Sequence, residues 1–313
     1  MSASPSRLSS HELLAALLVI LLWGLNFVPM KFALLEFTPF QMGAARFFLA
    51  AFPLVLFIKR PAVPLSWLLL FVLTQGVGQF AFLFFALKWG MSAALASVLM
   101  QVQVFFTAMM GVLLLNESIS GALKAGMTIA AVGLALFVVN IFVNDERGAV
   151  TGLGLLLTLS AAAMWSGSNI IVKKMQAQGA TYSALSLVAW SGLLSGLGFL
   201  LISLLVDGVE AQQNWLHGTF IGWTSLLYLG WAASGLAYWL WTLLLTRHPA
   251  SRVAPFSLGV PVVGLLAGIV ILDEQLTLLQ WIGSALVMSA LIVVVSASRY
   301  SARKVARRYD REV

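Results

Sequence analysis

The stretch WGLNFVPMK, residues 23–31, returns 142 positions later as WSGSNIIVK, residues 165–173. Both copies begin with a tryptophan and end with a lysine eight residues further on. Between them, the polar and charged segment NDERG at residues 144–148 interrupts the chain near its middle. Self-similarity at a fixed offset on either side of such a break indicates two related halves.

A second group of matches between the halves runs at a larger offset. At an offset of 157 residues, two glycines and a glutamate recur: Gly111 with Gly268, Glu117 with Glu274 and Gly126 with Gly283. The offset grows by 15 residues, so the second half contains an insertion. Its natural position is the loop from Asp207 to Gly218, which contains Gln and Trp.

The composition excludes a water-soluble globule. Of the 313 residues, 61% are hydrophobic and 9% are charged, whereas soluble domains average about 45–50% and 25%. A chain of this size can keep so much apolar surface only where a bilayer solvates it. Because cysteine is absent, disulfides, thiolate metal sites and cysteine nucleophiles are excluded as well.

A transmembrane helix needs about 20 mostly apolar residues. Ten stretches of this kind are separated by Pro, Gly or charge, which predicts spans at 13–34, 40–58, 66–88, 92–115, 121–143, 152–173, 182–206, 219–246, 251–272 and 278–297. The first is not expected to be a cleaved signal peptide, because its apolar run is too long and lacks a small-residue cleavage site. The predicted fold class is therefore all-α, a polytopic membrane protein with ten transmembrane helices.

Lysine and arginine fall mainly on one side of these spans. With the N-terminus inside, 14 of the 18 basic residues lie on the inner side, while Lys31, Lys88 and Arg147 lie outside and Arg46 lies within a span. Since cytoplasmic loops retain basic residues, both termini are predicted to be cytoplasmic. Six basic residues form a tail at 298–313, so the net charge of +7 marks this side and indicates no nucleic-acid partner.

The break at 144–148 leaves five spans in each half, the first repeat at 13–143 and the second at 152–297. Because five is odd, the second half enters the membrane in the opposite sense, which gives an inverted repeat. Two halves related in this way can exchange conformations, the geometric basis of alternating access. The pattern favours a transporter, with a duplicated scaffold that transports nothing as the alternative.

Further motifs extend this interpretation. The chain contains AARF at 44–47, QFAFLF at 79–84, QVQVFFT at 101–107, SRVAPFSL at 251–258, PVVGL at 261–265 and LDEQLT at 272–277. With these and the 23–31 motif it resembles the EamA-type branch of the drug/metabolite transporter superfamily, most closely the cysteine and O-acetylserine exporters. The resemblance implies a secondary-active exporter of small amino acids or related metabolites in a bacterial inner membrane, and not an enzyme. A facilitative permease, an exporter of another metabolite or drug, and an intramembrane scaffold are the alternatives.

Polar residues inside the spans are the candidates for substrate binding, because burying them in a bilayer is costly. Arg46 is the only basic residue placed well inside a span; it is either a counter-ion for a substrate carboxylate or a side chain that snorkels to the interface. Two pairs at helical spacing on spans three and four line the cavity or bond between helices: Gln75 with Gln79, and Gln103 with Thr107. Gln101 is expected to point elsewhere.

Span eight carries an aromatic stripe at helical spacing: Tyr228, Trp231, Ser234, Tyr238 and Trp241. The stripe predicts a wall of the substrate cavity that includes Trp231 and Tyr238, with helix packing or an interfacial belt as the alternative. Asn26 and Asn169 lie near mid-membrane in the first helix of each repeat, and Trp165 lies about one turn from Asn169. These residues are predicted at the central site, with helix capping or bridging as the other interpretation.

The repeat also predicts two gates. Lys31 and Glu274 lie at the outer face in opposite halves, and their repeat partners Lys173 and Glu117 lie at the inner face. We expect Lys31 with Glu274 to close the outer gate and Lys173 with Glu117 to close the inner one, each pair breaking as the other forms. The alternative is that both glutamates merely complement the N-termini of helices five and ten.

No predicted span has Asp or Glu near its centre, so the usual carboxylate relay for ion coupling is missing from the sequence. A proton is the candidate coupling ion, beside substrate exchange and uncoupled transport. Neither a Walker A loop nor an HExxH or GxSxG motif is present, so ATP hydrolysis and common hydrolase mechanisms have no support. We expect no cofactor or metal; the predicted partners are the lipid bilayer and a small-molecule substrate, and the oligomeric state is open.

Overall fold

The computed structural model describes residues 9–118, 120–143, 150–248 and 250–312, so Arg147 and the last residue of the predicted tail lie outside the described chain. Within these ranges the elements are helices, and the only strand-like pairing is an isolated antiparallel bridge between Met91 and Val150. The helices are α1 (Ser10–Ala33), α2 (Pro39–Phe57), α3 (Leu65–Lys88), α4 (Ala93–Leu115), α5 (Gly121–Val143), α6 (Gly152–Ala177), α7 (Ala184–Ala211), α8 (220–247), α9 (Pro255–Leu272) and α10 (Leu278–Glu312).

In the described part of the chain, nine of these helices are long and apolar enough to cross a membrane, the span of α10 being Leu278–Ala297. The helix α8 is also long enough, but it is not among the nine. Its many Trp, Tyr, Ser, Thr and Gly residues lower its mean hydropathy. The fold is thus an all-helical, polytopic membrane fold, and the count of ten spans stays a prediction.

Capping residues mark the ends of many of the helices. Most begin after a Ser or Thr whose side chain accepts the backbone N–H three residues on: Ser9, Thr38, Ser92, Thr151, Ser183 and Thr219. Such caps satisfy N–H groups that have no partner inside the helix. At their C-terminal ends, α4 and α9 are followed by residues with a left-handed backbone conformation, Asn116 at φ 53° and Asp273 at φ 52°.

We call the end of the bundle where α1 begins the terminal end and the end where α1 finishes the distal end. At the distal end, the Glu36 carboxylate accepts hydrogen bonds from the N–H and hydroxyl of Thr219, both at 2.6 Å. At the terminal end, Glu12 Oε1 lies 3.0 Å from His248 Nε2. Since Glu12 lies in the first turn of α1 and Glu36 follows its end, while Thr219 and His248 flank α8, both helices run the full depth of the bundle.

The interior is packed much more densely in its distal half. Among the described residues, all but one of the twelve largest fully buried side chains lie there, the exception being Met175. The eleven are Met30, Phe37, Met42, Phe84, Met91, Leu95, Leu99, Phe137, Phe199, Leu226 and Leu229. At the centre of this core, the rings of Phe47 and Phe199 stack 5.8 Å apart. This leaves room for a cavity between mid-bundle and the terminal end.

Several helices depart from α geometry next to that cavity. The π-helical segments Val72–Gly78 in α3 and Tyr228–Leu236 in α8 correspond at the repeat offset of 157, within a residue. The 3-10 turns Met100–Val102 and Ala254–Leu258 correspond at the same offset to within a few residues. Departures of this kind are frequent at functional sites. Here they change which side chains face the interior, as the site shows.

Candidate functional site

A cavity of about 450 Å³ lies at the middle of the bundle. As far as the side chains are described, eight helices contribute to its wall, all except α5 and α10. Eight of the ten residues that the sequence predicts to bind substrate line it: Asn26, Arg46, Gln75, Gln79, Gln103, Trp165, Asn169 and Tyr238. Towards the terminal end the lining continues through Phe71, Val172, Val188, Trp241 and Ser257.

Among the described residues, Arg46 is the only cation that lines this cavity. Its side chain is 3% exposed, so it does not snorkel to an interface. Nη1 donates to Asn26 Oδ1 at 3.1 Å, and Cζ lies 4.4 Å from the centroid of the Phe80 ring. Nε has no hydrogen-bond partner, and no carboxylate of the described residues lies within ion-pair distance. The geometry therefore leaves a buried positive charge and one buried donor unmatched.

Asn26, the partner of Arg46, lies at a local break in α1. The α-helical segments Ser10–Leu25 and Phe27–Ala33 meet at Asn26. One turn earlier, Trp23 Nε1 donates to the carbonyl of Ala233 at 3.0 Å. The Trp23 ring packs edge-on against Tyr238 at 5.1 Å and against Trp241 at 5.4 Å. These three rings form one aromatic side of the cavity.

The opposite wall is a set of amides and hydroxyls that largely satisfy one another. Gln103 Oε1 accepts from Asn169 Nδ2 at 3.1 Å, and Asn169 also donates to the Thr107 hydroxyl at 3.1 Å. The Ser168 hydroxyl donates to Gln75 Oε1. At the 142 offset the counterpart of Asn26 is Ser168 and not Asn169, so the two asparagines occupy different positions in their repeats. Thr107 supports the wall from behind without lining the cavity.

Gln79 differs from the other amides. Its side chain lines the cavity and the residue is 4% exposed, yet its Oε1 has no hydrogen-bond partner. Gln75, one turn away on α3, is paired with Ser168. A buried amide oxygen left unpaired costs free energy unless a ligand or water completes it. Gln79 and Arg46 thus offer an acceptor and a donor to whatever enters the cavity.

One predicted cavity residue lies elsewhere. Trp231 is 55% exposed and borders a separate apolar groove with Trp239 and Phe52. The prediction assumed a regular α-helix, whereas α8 is π-helical through Tyr228–Leu236 and has more residues per turn. The stripe is therefore split, and Ser234, Tyr238 and Trp241 line the cavity while Trp231 does not.

The opposite error occurs on α4. Gln101 lines the cavity together with Gln103, although helical spacing places the two on different faces. The 3-10 turn Met100–Val102 winds more tightly than an α-helix and turns Gln101 inward. Ser97 and Ser191 also line the cavity, although the hydroxyl of each donates to a carbonyl three residues earlier in its own helix. No sequence signal distinguishes them from the other serines of the spans.

The four charged residues predicted as gates lie at the two ends of the bundle. At the terminal end, Lys173 Nζ lies 2.9 Å from Glu117 Oε1, and both side chains are about half exposed. At the distal end, Glu274 accepts hydrogen bonds from the backbone N–H groups of Ala93 and Ala94, at 2.7 and 2.8 Å. Lys31 Nζ donates to the carbonyl of Leu87 at 2.8 Å. One Lys–Glu pair is formed, and the other is not within ion-pair distance in the described chain.

The described residues contain no group of three His, Cys, Asp or Glu side chains that could hold a metal ion. The cavity instead combines one guanidinium, several amides and an aromatic side. This arrangement suits a small polar molecule with a negative group, held by charge at one point and by hydrogen bonds elsewhere.

Comparison with known proteins agrees with this architecture. The probable amino-acid metabolite efflux pump of Salmonella typhimurium strain LT2 is 42% identical over 293 residues, which cover 93% of this chain and 96% of the relative. The protein of the same description from Escherichia coli strain K12 is 41% identical over 298 residues, covering 94% and 97%. A crystal structure that is 18% identical superposes with a TM-score of 0.63 over 94% of this chain and 99% of its own.

The match to a family is equally extensive. Residues 11–139 and 152–296 each match the EamA-like transporter family, so that both halves of the chain are included. The chain is therefore a multi-pass membrane transporter of metabolites and not an enzyme. It belongs to the EamA-like transporter family.

Proposed function

We propose that this transporter is a secondary-active exporter of small amino acids or related metabolites, of the cysteine and O-acetylserine kind, that works by alternating access. The proposal includes ten spans in two inverted five-helix repeats, 13–143 and 152–297. It also places the protein in a bacterial inner membrane, with both termini and the basic tail 298–313 in the cytoplasm. The substrate class is supported by the two bacterial relatives, both described as probable amino-acid metabolite efflux pumps.

Contacts between helix ends support the ten spans. Because Glu36 contacts Thr219 while Glu12 contacts His248, α8 connects the same two ends as α1. A helix with that path crosses whatever bilayer α1 crosses. Within the described chain, the left-handed residues, π segments and 3-10 turns that recur at the 157 offset support the repeat.

The observation that carries the substrate proposal is the buried, unmatched guanidinium of Arg46. A cation in this setting is costly unless an anion completes it. A substrate carboxylate supplies the missing charge and accepts from the free Nε. Asn26 and Phe80 hold the guanidinium in place beside the cavity.

An amino acid also brings an ammonium group, which needs acceptors. The unpaired Gln79 oxygen accepts one N–H, and the faces of Trp23 and Tyr238 attract a cation. The remaining residues proposed for the substrate site are Asn26, Gln75, Gln103, Trp165 and Asn169, which line the cavity, and Thr107, which supports Asn169. We further propose Lys31, Glu274, Lys173 and Glu117 as gating residues and a proton as the coupling ion.

The test is growth and efflux under toxic concentrations of cysteine, O-acetylserine, threonine and homoserine. Cells that express the protein should grow better and export at least one of the four compounds faster than cells without it. Arg46→Met should remove both effects at equal protein level, whereas Arg60→Met in an exposed loop should not. Absence of export for all four compounds would contradict the proposed substrate class. Efflux that is unchanged when the proton gradient is collapsed would contradict the coupling ion.

A further inference from the structure

Each half of the chain contains the same elbow, a turn that brings a glutamate back against its own helix. After the left-handed Asn116, the N–H of Glu117 bonds the carbonyl of Gly111 at 3.2 Å; after Asp273, the N–H of Glu274 bonds that of Gly268 at 3.2 Å. A Cβ on either glycine would lie 2.5 Å from the carboxylate of its glutamate. The glycines therefore leave the space that each carboxylate occupies.

The two carboxylates have the same local geometry but different partners. At the distal end, Glu274 binds the first two N–H groups of α4, a helix of the other half. At the terminal end, Glu117 binds Lys173 with both oxygens, at 2.9 and 3.0 Å. At the 157 offset, Ala93 and Ala94 correspond to Ala250 and Ser251. These two residues begin the short helical segment Ala250–Val253, which leads into α9.

The two ends also differ in packing. Of the twelve largest fully buried side chains in the described part of the chain, the distal half contains eleven, including Met30 next to Lys31. The cavity extends towards the terminal end through Val172, next to Lys173. At the 142 offset, Met30 and Val172 are equivalent positions, one fully buried and the other lining the cavity. The distal end is therefore the closed one in this conformation.

We infer that each glutamate closes its end of the carrier by capping a helix of the opposite half, and that the Lys–Glu pair forms when that end is open. This rests on the proposed alternating access. It reverses the pairing expected from the sequence, in which the Lys–Glu pair closes each end. In the other conformation, Glu117 caps the helix that begins at Ala250 and Ser251, while Glu274 pairs with Lys31.

The exchange keeps the electrostatic balance nearly constant. Each conformation contains one carboxylate bound to two helix N–H groups and one carboxylate bound to a lysine. The N–H groups at a helix start favour a negative charge, and the lysine holds the same charge when those groups move away. A carboxylate is thus never left unpaired near the membrane, and the inverted repeat makes the two conformations comparable in energy.

The test uses the absence of native cysteine, which allows single-cysteine reporters without background labelling. Ser191→Cys reports access to the cavity from the terminal end, and Met30→Cys reports opening of the distal end. The purified protein in nanodiscs is labelled with a membrane-impermeant maleimide, with and without Lys173→Met. Lys174→Met is the matched control, because Lys174 forms no ion pair within the described chain.

If the pair marks the open end, Lys173→Met destabilises the present conformation. Labelling of Ser191→Cys should slow and labelling of Met30→Cys should rise, so that the ratio of the two rates changes by about two- to fivefold, as expected for an exposed ion pair. Faster labelling of Ser191→Cys would show that the pair closes the terminal end and would overturn the inference. Unchanged rates at both reporters would overturn it as well.

A second variant tests the helix cap directly. Ala93→Pro removes one of the two N–H donors to Glu274 at the first helical position, which tolerates proline, and Ser92 already has the extended backbone that proline requires before it. The ratio of Met30→Cys to Ser191→Cys labelling rates should rise by about tenfold in this variant, as expected for the loss of one hydrogen bond to a charged group; no rise in a protein that elutes as a single species contradicts the cap. If the two labelling rates shift in opposite directions but the protein exports no amino acid, the proposed gate stands and only the proposed substrate class is contradicted.

Discussion

Replacing Arg46 with methionine should stabilise the protein without substrate and abolish its preference for a carboxylate. Methionine approximates the length of the arginine stem but has no charge. The wild-type side chain keeps a cation buried at 3% exposure with one hydrogen bond and one aromatic contact. Removing a buried charge that lacks an opposite charge relieves a desolvation cost of several kcal/mol, less what those two contacts return. We therefore expect the free energy of unfolding to rise by about 1–3 kcal/mol.

Substrate binding should change in the opposite direction. A hydrogen bond to a charged partner contributes about 1.5–3 kcal/mol, which corresponds to about 10- to 150-fold in the dissociation constant. Arg46→Lys keeps the charge but loses the planar fork, so it should fall between the wild type and Arg46→Met.

The assay is thermal unfolding of the purified protein with increasing concentrations of an exported amino acid and of its uncharged carboxamide. The wild type should be stabilised by the acid at concentrations about 10- to 150-fold lower than by the amide. In Arg46→Met the two ligands should be equivalent, and the melting temperature without ligand should be higher. If the variant keeps the wild-type preference for the acid, Arg46 does not bind the carboxylate.

Two further predictions concern neighbouring positions. Gln79→Met should reduce discrimination between an amino acid and its hydroxy-acid analogue by about 5- to 30-fold, because the unpaired amide acceptor is lost; binding assays with both ligands check this, and an unchanged ratio would exclude Gln79 from the amino subsite. Gly268→Ala should lower the free energy of unfolding by about 1–3 kcal/mol, since its Cβ would lie 2.5 Å from Glu274 Oε2 and 2.6 Å from the Ala94 nitrogen. Gly121→Ala, with nothing within 4 Å of the new carbon, is the control and should be neutral or slightly stabilising in the same unfolding assay.

Composition and helical periodicity predicted most of the fold because the bilayer imposes simple rules. A span needs a minimum apolar length, and a polar residue within it must find a partner inside the protein. For this reason Arg46, Gln75, Gln103 and Asn169 were recognisable as interior residues before their contacts were known. Their buried positions in the cavity wall follow from the same physics.

Helical spacing assigns side chains to the wrong face where a helix departs from 3.6 residues per turn. Trp231 was predicted in the cavity and Gln101 outside it, and each lies beside a π or 3-10 segment that rotates the following side chains. Those irregularities depend on the packing of neighbouring helices, which spacing along one helix does not contain. The sequence likewise does not predict the partner of Glu274. Its carboxylate accepts from a backbone N–H group, and such groups occur at almost every residue, so no sequence pattern identifies one of them.

The central claim, that the cavity serves alternating access for amino acids, is tested most directly by counterflow. Purified protein in liposomes preloaded with unlabelled O-acetylserine should transiently accumulate the labelled compound from outside, with saturable initial rates. The same liposomes containing Arg46→Met should show no overshoot. A linear, non-saturable flux, or no flux for O-acetylserine, cysteine, threonine and homoserine alike, would contradict the account.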